Sequence, residues 1–437
     1  MRNKLAYFFI VIILGCSLGK KSSISNKAFM YTDSIKTTQT SYKIFNNSQN
    51  TSVLYYRINT NNLLKVYSTE NKLNKIDYTI RGKLYDNYID NLIDSFIISK
   101  VITADSIIYV SEEIELKCKE NERYVLSISL TDNNKKSTNS QKINIDRRSI
   151  NQNDYLIFNK KGEIQFKNYI SINDSIYIKN RIENKELFVR YFQPKSQIAK
   201  PPYITGKIVP KEIVTNKMFS LLTDTDSFNL TMNEQGIYQI TNEIQSENGI
   251  TLLAFNTSYP NINSVEDMIL PIEYITTDEE FSNLKEIKNN KLAIDKFWLE
   301  RANNNKKNAK DLIYKFYKRV QESNIHFSSY KAGWKTDRGM IMIIFGPPNI
   351  VYQSENGESW IYGEKNNIYS LNFTFSKINN KFTDNDYELN RSIYFRTIWN
   401  NAQIAWKDGY AYSDIDIKKK IYEQEKRKRQ SQLYFWY

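Results

Sequence analysis

The sequence predicts a mainly β chain with an α+β part: two N-terminal antiparallel β-sandwich domains and a C-terminal α+β domain. Three observations lead there. A length of 437 residues exceeds what one ordinary hydrophobic core occupies. The 32 Tyr and 22 Phe stand among short alternating apolar runs, the composition of strands. Near Thr277 the apolar period changes from about two residues to about 3.6.

Taken in chain order, the N-terminus comes first. Arg2 and Lys4 precede the apolar run of residues 5–14, which is shorter than a bilayer span and of the length of a signal-peptide core. Ile13-Leu14-Gly15-Cys16 follows directly and resembles the bacterial lipobox, against the simpler alternative of a plain membrane anchor with a chance cysteine. The resemblance implies a signal peptide over 1–15, lipid on Cys16 and a membrane held through that lipid. Residues 16–40, rich in Ser, Thr, Lys and Asn, read as a lipidated tether. After Cys16 there is no aspartate of the kind that resembles an inner-membrane retention signal. The acidic run of many surface-exported lipoproteins is missing as well. The expected habitat is therefore the periplasm-facing leaflet of an outer membrane.

Residues 41–150 contain alternating or apolar runs at 52–58, 63–67, 76–82, 123–130 and 141–146, with a polar turn at 131–136. Residues 151–276 repeat the pattern at 155–158, 175–178, 186–192, 227–231, 236–240 and 251–255. The entry Asn233-Glu234-Gln235-Gly236-Ile237-Tyr238 resembles immunoglobulin-like sandwiches. A loop is expected around Pro201, Pro202 and Pro210. From 277 to 412 the reading is α+β. A helix capped at Thr277 or Asp278 is followed by a second from about Asn308, then by short strands at 340–345, 358–362 and 369–375. Residues 413–437 read as a basic helical tail with an aromatic end.

Composition removes several function classes. The net charge of +13 invites a nucleic-acid reading, yet an exported lipoprotein rarely meets nucleic acid. The abundant Lys, Asn, Ile, Tyr and Phe all have AT-rich codons, so no nucleic-acid partner is expected. Weak attraction to anionic head groups remains. The single histidine, His326, rules out a His-rich metal site, and a Ser-His-Asp triad would have to use it without any G-x-S-x-G elbow. Cys118 lies in an alternating run and is expected in a core. No metal, cofactor or catalytic residue is expected.

One motif is specific. Gly333-Trp334-Lys335-Thr336-Asp337-Arg338-Gly339, then Gly346-Pro347-Pro348, resembles the GWxTD-domain family of Bacteroidota lipoproteins. Phe297-Trp298, Tyr317-Lys318-Arg319-Val320, His326-Phe327 and Trp360-Ile361-Tyr362 extend the likeness over about 280 to 400. The polar segment 303–308 departs from it where the pattern has an Asp-Pro turn. The order from Met340 to Phe375 is also similar to the small lipoprotein subunit of the outer-membrane β-barrel assembly machine. These resemblances imply an architecture and a habitat, not a reaction.

Physically, Gly333 and Gly339 permit close approach, Trp334 offers an apolar face, and Thr336 and Asp337 suit a cap. Arg338 can pair with a carboxylate, and Gly346-Pro347-Pro348 is expected to stop a strand. A fold-maintaining role is weighed against a ligand site. The expected function is a non-enzymatic binding or scaffolding subunit of an envelope complex, with an envelope protein as partner. The alternative is a glycan- or peptidoglycan-binding or -cleaving protein, in which Asp337 would pair with Glu355 or Glu358 across a cleft. Against that alternative, Glu355 and Glu358 are expected in solvated loops, and Arg338 is expected to keep Asp337 ionised.

Overall fold

Alternation of apolar residues builds the first domain from β1 (Thr40–Asn46), β2 (Thr51–Asn59), β3 (Val66–Ser68), β4 (Leu73–Asp86), β5 (Leu92–Thr103), β6 (Tyr109–Lys117), β7 (Arg123–Asp132) and β8 (Ser137–Asp146). The computed structural model describes residues 26–31, 40–69, 73–86, 91–103, 108–194, 197–206 and 213–434, with side chains to residue 427. The expected signal peptide, Cys16, Pro210 and the aromatic end of the tail lie outside the described residues. One sheet has the order β1-β2-β6. The other runs β3-β4-β7-β8, with β5 also paired to β4. In β7 the inward set Tyr124, Leu126, Ile128 and Leu130 is buried while its neighbours are half-exposed, as period-two side chains require. Leu54, Tyr56 and Ile58 of one sheet meet Ile76, Tyr78 and Ile80 of the other. Cys118 is fully buried in this core, and burial pushes its thiol up to about 11.

The second sandwich comprises β9 (Tyr155–Asn159), β10 (Tyr169–Ser171), β11 (Ser175–Asn180), β12 (Glu186–Phe192), β13 (Lys217–Leu222), β14 (Ser227–Thr231), β15 (Gly236–Thr241) and β16 (Gly249–Phe255). Its sheets are β10-β16-β15-β12-β13 and β14-β11-β9. The pairing is antiparallel except at β10, which runs parallel to β16 with Tyr169 opposite Leu253. Arg181 joins the two sandwiches. It donates to Asp154 at 2.6 Å and forms an ion pair with Glu120.

The C-terminal part contains α1 (Val265–Ile269), α2 (Asp278–Glu286), α3 (Asn290–Arg301), α4 (Lys306–Phe327), α5 (Asp337–Phe345), β17 (Ile350–Ser354), β18 (Gly357–Tyr362), β19 (Leu371–Lys377), β20 (Tyr387–Leu389), α6 (Phe395–Lys407) and α7 (Asp414–Tyr434). Strands β17 to β20 form a sequential antiparallel sheet, and the helices pack with it around the largest core. Thr277 caps α2 as expected. Its hydroxyl accepts from Glu280 N–H at 3.2 Å, and the Glu280 carboxylate returns to the Thr277 N–H at 2.8 Å. The 303–308 segment turns without proline: Asn303 and Asn304 adopt positive φ, and Asn305 caps α4.

Several expectations are corrected. Helical structure begins before 277, with α1 and the 3-10 segment Leu270–Ile275. Residues 340–345 are not a strand but most of α5, every residue of which is buried. A helix apolar all round shows no amphipathic period, so this run could not be told from a buried strand. Gly346 therefore ends a helix, with φ +78°, rather than a strand. Residues 26–31 are not a free tether. Ala28 and Tyr31 are buried in the C-terminal core, and Lys27 N–H donates to the Val351 carbonyl at 2.8 Å.

Candidate functional site

The motif opens α5 and links it to its surroundings. The Thr336 hydroxyl accepts from Gly339 N–H at 3.0 Å and donates to the Gly333 carbonyl at 2.7 Å. One side chain thus joins the turn Gly333–Lys335 to the first turn of α5. The glycines stand where backbones nearly touch. A Cβ on Gly339 would lie 2.0 Å from the Gly333 carbonyl oxygen, and one on Gly333 would lie 2.0 Å from that of Ser323 in α4. Trp334 is 7 % exposed. Its N–H donates to Asn324 Oδ1 at 3.1 Å, and its carbonyl accepts from the Tyr274 hydroxyl at 3.1 Å. Its ring meets that of Tyr274 edge-on.

Asp337 and Arg338 form two separate buried ion pairs. The Asp337 carboxylate accepts from the two terminal guanidinium nitrogens of Arg391, at 3.0 and 2.5 Å, and from Leu389 N–H at 2.8 Å. Arg338 turns the other way, donating to Glu358 Oε1 at 3.2 Å and to the Asn385 carbonyl at 3.1 Å. Its guanidinium lies 3.7 Å from the centre of the Tyr387 ring. Glu358 also accepts from the Tyr31 hydroxyl, at 2.9 and 3.0 Å from its two oxygens, and from the Trp360 indole at 2.9 Å. Burial, followed by the Glu358 charge, holds the Tyr31 hydroxyl well above its usual range.

Three expectations change here. Glu358 does not sit in a solvated loop; it is 3 % exposed on β18. Asp337 and Glu358 do not face each other as an acid pair, because each meets its own arginine, while Glu355 lies in the turn between β17 and β18. The adjacent Arg338 is not the cation that neutralises Asp337.

At the far end of α5, Arg319 of α4 donates to the Ile343 and Ile344 carbonyls at 3.0 and 3.1 Å and to the Tyr412 carbonyl at 2.8 Å. It serves as a side-chain cap for the helix. Burial lowers its pKa to about 10. Gly346 leaves room for that guanidinium, which a Cβ would approach to 2.9 Å, and its carbonyl accepts from the Tyr362 hydroxyl at 2.8 Å. Pro347 and Pro348 then lead into β17. His326 contributes its ring to the wall around Tyr31, with centroids 5.5 Å apart. Burial, then the charges of Lys167 and Arg338, push it down to about 4, so it is neutral at pH 7. Among the described residues no group of three or more His, Cys, Asp or Glu could hold a metal ion. No helix among them is long and apolar enough to cross a membrane.

The sequence pointed to Gly333, Trp334, Thr336, Asp337, Arg338, Gly339 and Gly346; the structure gathers the first six at the N-terminal end of α5 and places Gly346 at its C-terminal end. The sequence reading missed Tyr31, Asn324 and Arg391, named Arg319 only within the family likeness, and named Glu358 as a partner of Asp337 rather than of Arg338. One signal was available. Glu358 stands two positions before Trp360 in a strand, hence on the same inward face.

Residues 236–408 match the family model described as the GWxTD domain. The chain carries a GWxTD domain. The match starts at β15, inside the second sandwich, and runs through α6. The matched strands contact the C-terminal part. Phe192, Ile237 and Leu253 of the sandwich form one cluster with Phe382 of the C-terminal part, and Tyr259, just after β16, accepts from Gly333 N–H at 3.2 Å. No curated protein sequence matches the chain. Among solved structures, one similarity is to Bacteroides uniformis β-glucuronidase 2, with 12 % identity and a TM-score of 0.19, covering 26 % of this chain and 13 % of that one. A glycosyl hydrolase family 2 member from Bacteroides cellulosilyticus matches with 10 % identity and a TM-score of 0.19, covering 31 % and 18 %. Red sea bream transglutaminase matches with 10 % identity and a TM-score of 0.18, covering 51 % and 32 %. The chain thus spans about a third or less of the length of these proteins.

Proposed function

We propose that this chain is a lipid-anchored envelope protein, a non-enzymatic binding or scaffolding subunit held through Cys16 at the periplasmic face of an outer membrane. The observation that carries the reading is the seating of residues 26–31 in the GWxTD domain. Asn26 Oδ1 accepts from Val351 N–H at 2.9 Å, its amide donates to the Asn349 carbonyl at 3.0 Å, and Tyr31 reaches Glu358 in the core. Ten residues lead from Cys16 to Asn26, and a chain of that length spans at most ~35 Å. An anchor so close to a seated peptide holds the domain near the bilayer.

Two further observations support a scaffold. The polar side chains of Thr336, Asp337 and Arg338 are spent on the fold, with their partners inside the domain. Two edge strands also carry exposed apolar side chains: Ile97 and Val101 on β5, and Met218 and Leu222 on β13. Among the described residues β5 pairs only with β4 and β13 only with β12, which leaves an open edge for strand addition by a protein partner. The test is metabolic labelling with a fatty-acid analogue. The parent protein takes label and fractionates with membranes; Cys16→Ser takes none and leaves the membrane fraction or stays unprocessed. Label retained on Cys16→Ser overturns the anchor.

A further inference from the structure

Away from the motif, a cleft of about 550 Å³ opens where the second sandwich meets the GWxTD domain. Its walls come from the segment before β10, the loop before β16, the end of α4 and residues 380–385. That volume suits a small ligand, and the lining has a consistent chemistry. Half-buried Phe166 supplies an aromatic ring that Arg57 covers from one side, while Phe382 is buried against Phe192. Gln152, Asn168 and Asn248 supply amide side chains that no hydrogen bond occupies among the described residues.

The charges in the cleft do not cancel. Glu247 is answered by Lys381 at 2.9 Å, and Asp384 by Lys377 at 3.9 Å. Lys167 pairs with no carboxylate among the described residues. Its neighbours are cationic or neutral. Arg57 lies on the Phe166 ring at 4.8 Å, next in sequence to Lys167, and His326 lines the same cleft. The tip of Lys167 reaches solvent, yet the surrounding walls and then Arg57 lower its pKa, and no acid among the described groups raises it. An ammonium flanked by a guanidinium gains from an anion.

We infer that this cleft binds an acidic oligosaccharide, with a sugar ring against Phe166, its hydroxyls on Gln152, Asn168 and Asn248, and its carboxylate on Lys167. Amide side chains are both donors and acceptors, as sugar hydroxyls require, and aromatic rings cover the apolar faces of pyranoses. The inference does not rest on the anchoring of the chain, and failure of either leaves the other standing.

The test is calorimetric titration of the Cys16→Ser protein with trigalacturonate, a hyaluronan tetrasaccharide and sialyllactose. Cellobiose and inorganic phosphate run as the neutral and sugar-free arms. At least one acidic saccharide is expected to give saturable binding, at least about tenfold tighter than cellobiose or phosphate. Lys167→Met is expected to weaken it by at least about tenfold with unchanged thermal melting, while Lys161→Met leaves it unchanged. The inference is overturned if no acidic saccharide saturates at millimolar concentration. Equal binding of cellobiose overturns it, as does equal binding of phosphate. Lys167→Met binding like the parent does the same.

Discussion

The hydroxyl of Tyr31 donates to the carboxylate of Glu358, which lies 327 positions further along the chain and is buried beside Arg338 and Trp360. The residue that closes the polar centre of the GWxTD domain therefore comes from the N-terminal peptide, outside the family match. Tyr31 also packs its ring against Phe327 and Trp360, with centroids 5.2 and 5.1 Å away. The first prediction follows. Tyr31→Phe keeps the packing and removes one hydrogen bond to a charged group, so it is expected to lower stability by about 1.5–3 kcal/mol. Tyr31→Ala should cost more and make residues 26–31 accessible to protease. Denaturant unfolding and limited proteolysis of the Cys16→Ser protein measure both. Unfolding curves that superimpose for parent and Tyr31→Phe would show that the contact contributes nothing.

The Asp337–Arg391 pair makes the second prediction. Both side chains are nearly inaccessible, so removing one partner leaves the other charge buried and alone. Asp337→Asn and Arg391→Met are each expected to destabilise by about 3–5 kcal/mol. The double variant should fall short of the sum by more than about 1 kcal/mol, because the stranded charge is absent from it. Additive effects in the double-mutant cycle would mean that the two residues act independently.

The motif's apolar and glycine positions make the third. Trp334→Ala empties a packed site against Tyr274 and should cost about 3–5 kcal/mol. Gly339→Ala introduces a Cβ that meets the backbone oxygen of Gly333 and cannot be relieved by a rotamer change. It is expected to be at least as damaging in a thermal melt. A Trp334→Ala protein that melts like the parent but loses a partner would make the motif a binding site instead.

What the sequence disclosed and what it hid divide along physical lines. The Thr277 cap was legible because its partner, Glu280, is three residues away. The alternation in β7 was legible because one face of a sandwich sheet is dry. Strand β5 was missed, since apolar Ile97 and Val101 sit on its exposed face and blur the pattern. Helix α5 was misread because uniform burial removes the amphipathic signal. The motif residues were found as types, but not their partners. Arg391 is 54 residues from Asp337, Glu358 is 20 from Arg338, and nothing local encodes either pairing. The nearest cation to Asp337 in sequence was therefore the wrong one.

The last prediction concerns pH and rests on His326. Its ring is walled by Tyr31 and Phe327, and Lys167 and Arg338 are the charges that act on it. Burial and those two cations hold its pKa at about 4 in the folded protein, against ~6.5 in an unfolded chain. The sign follows from which state binds the proton. Above ~6.5 the imidazole is neutral in both states and the linkage contributes nothing. Between ~6.5 and ~4 the unfolded chain takes up a proton that the folded protein refuses, so stability falls as pH drops; below that window the loss is complete. The loss is at most about 3 kcal/mol, and smaller to the degree that water reaches the partly exposed ring. Carboxylates titrate in the same range, so the parent alone cannot isolate the effect. His326→Gln removes the titration while keeping a neutral polar side chain. The difference in unfolding free energy between parent and His326→Gln should be constant above the window and shift against the parent within it. Two curves that stay parallel from neutral pH to the acid end would mean that His326 titrates alike in both states, and that Lys167 and Arg338 exert no net effect on it.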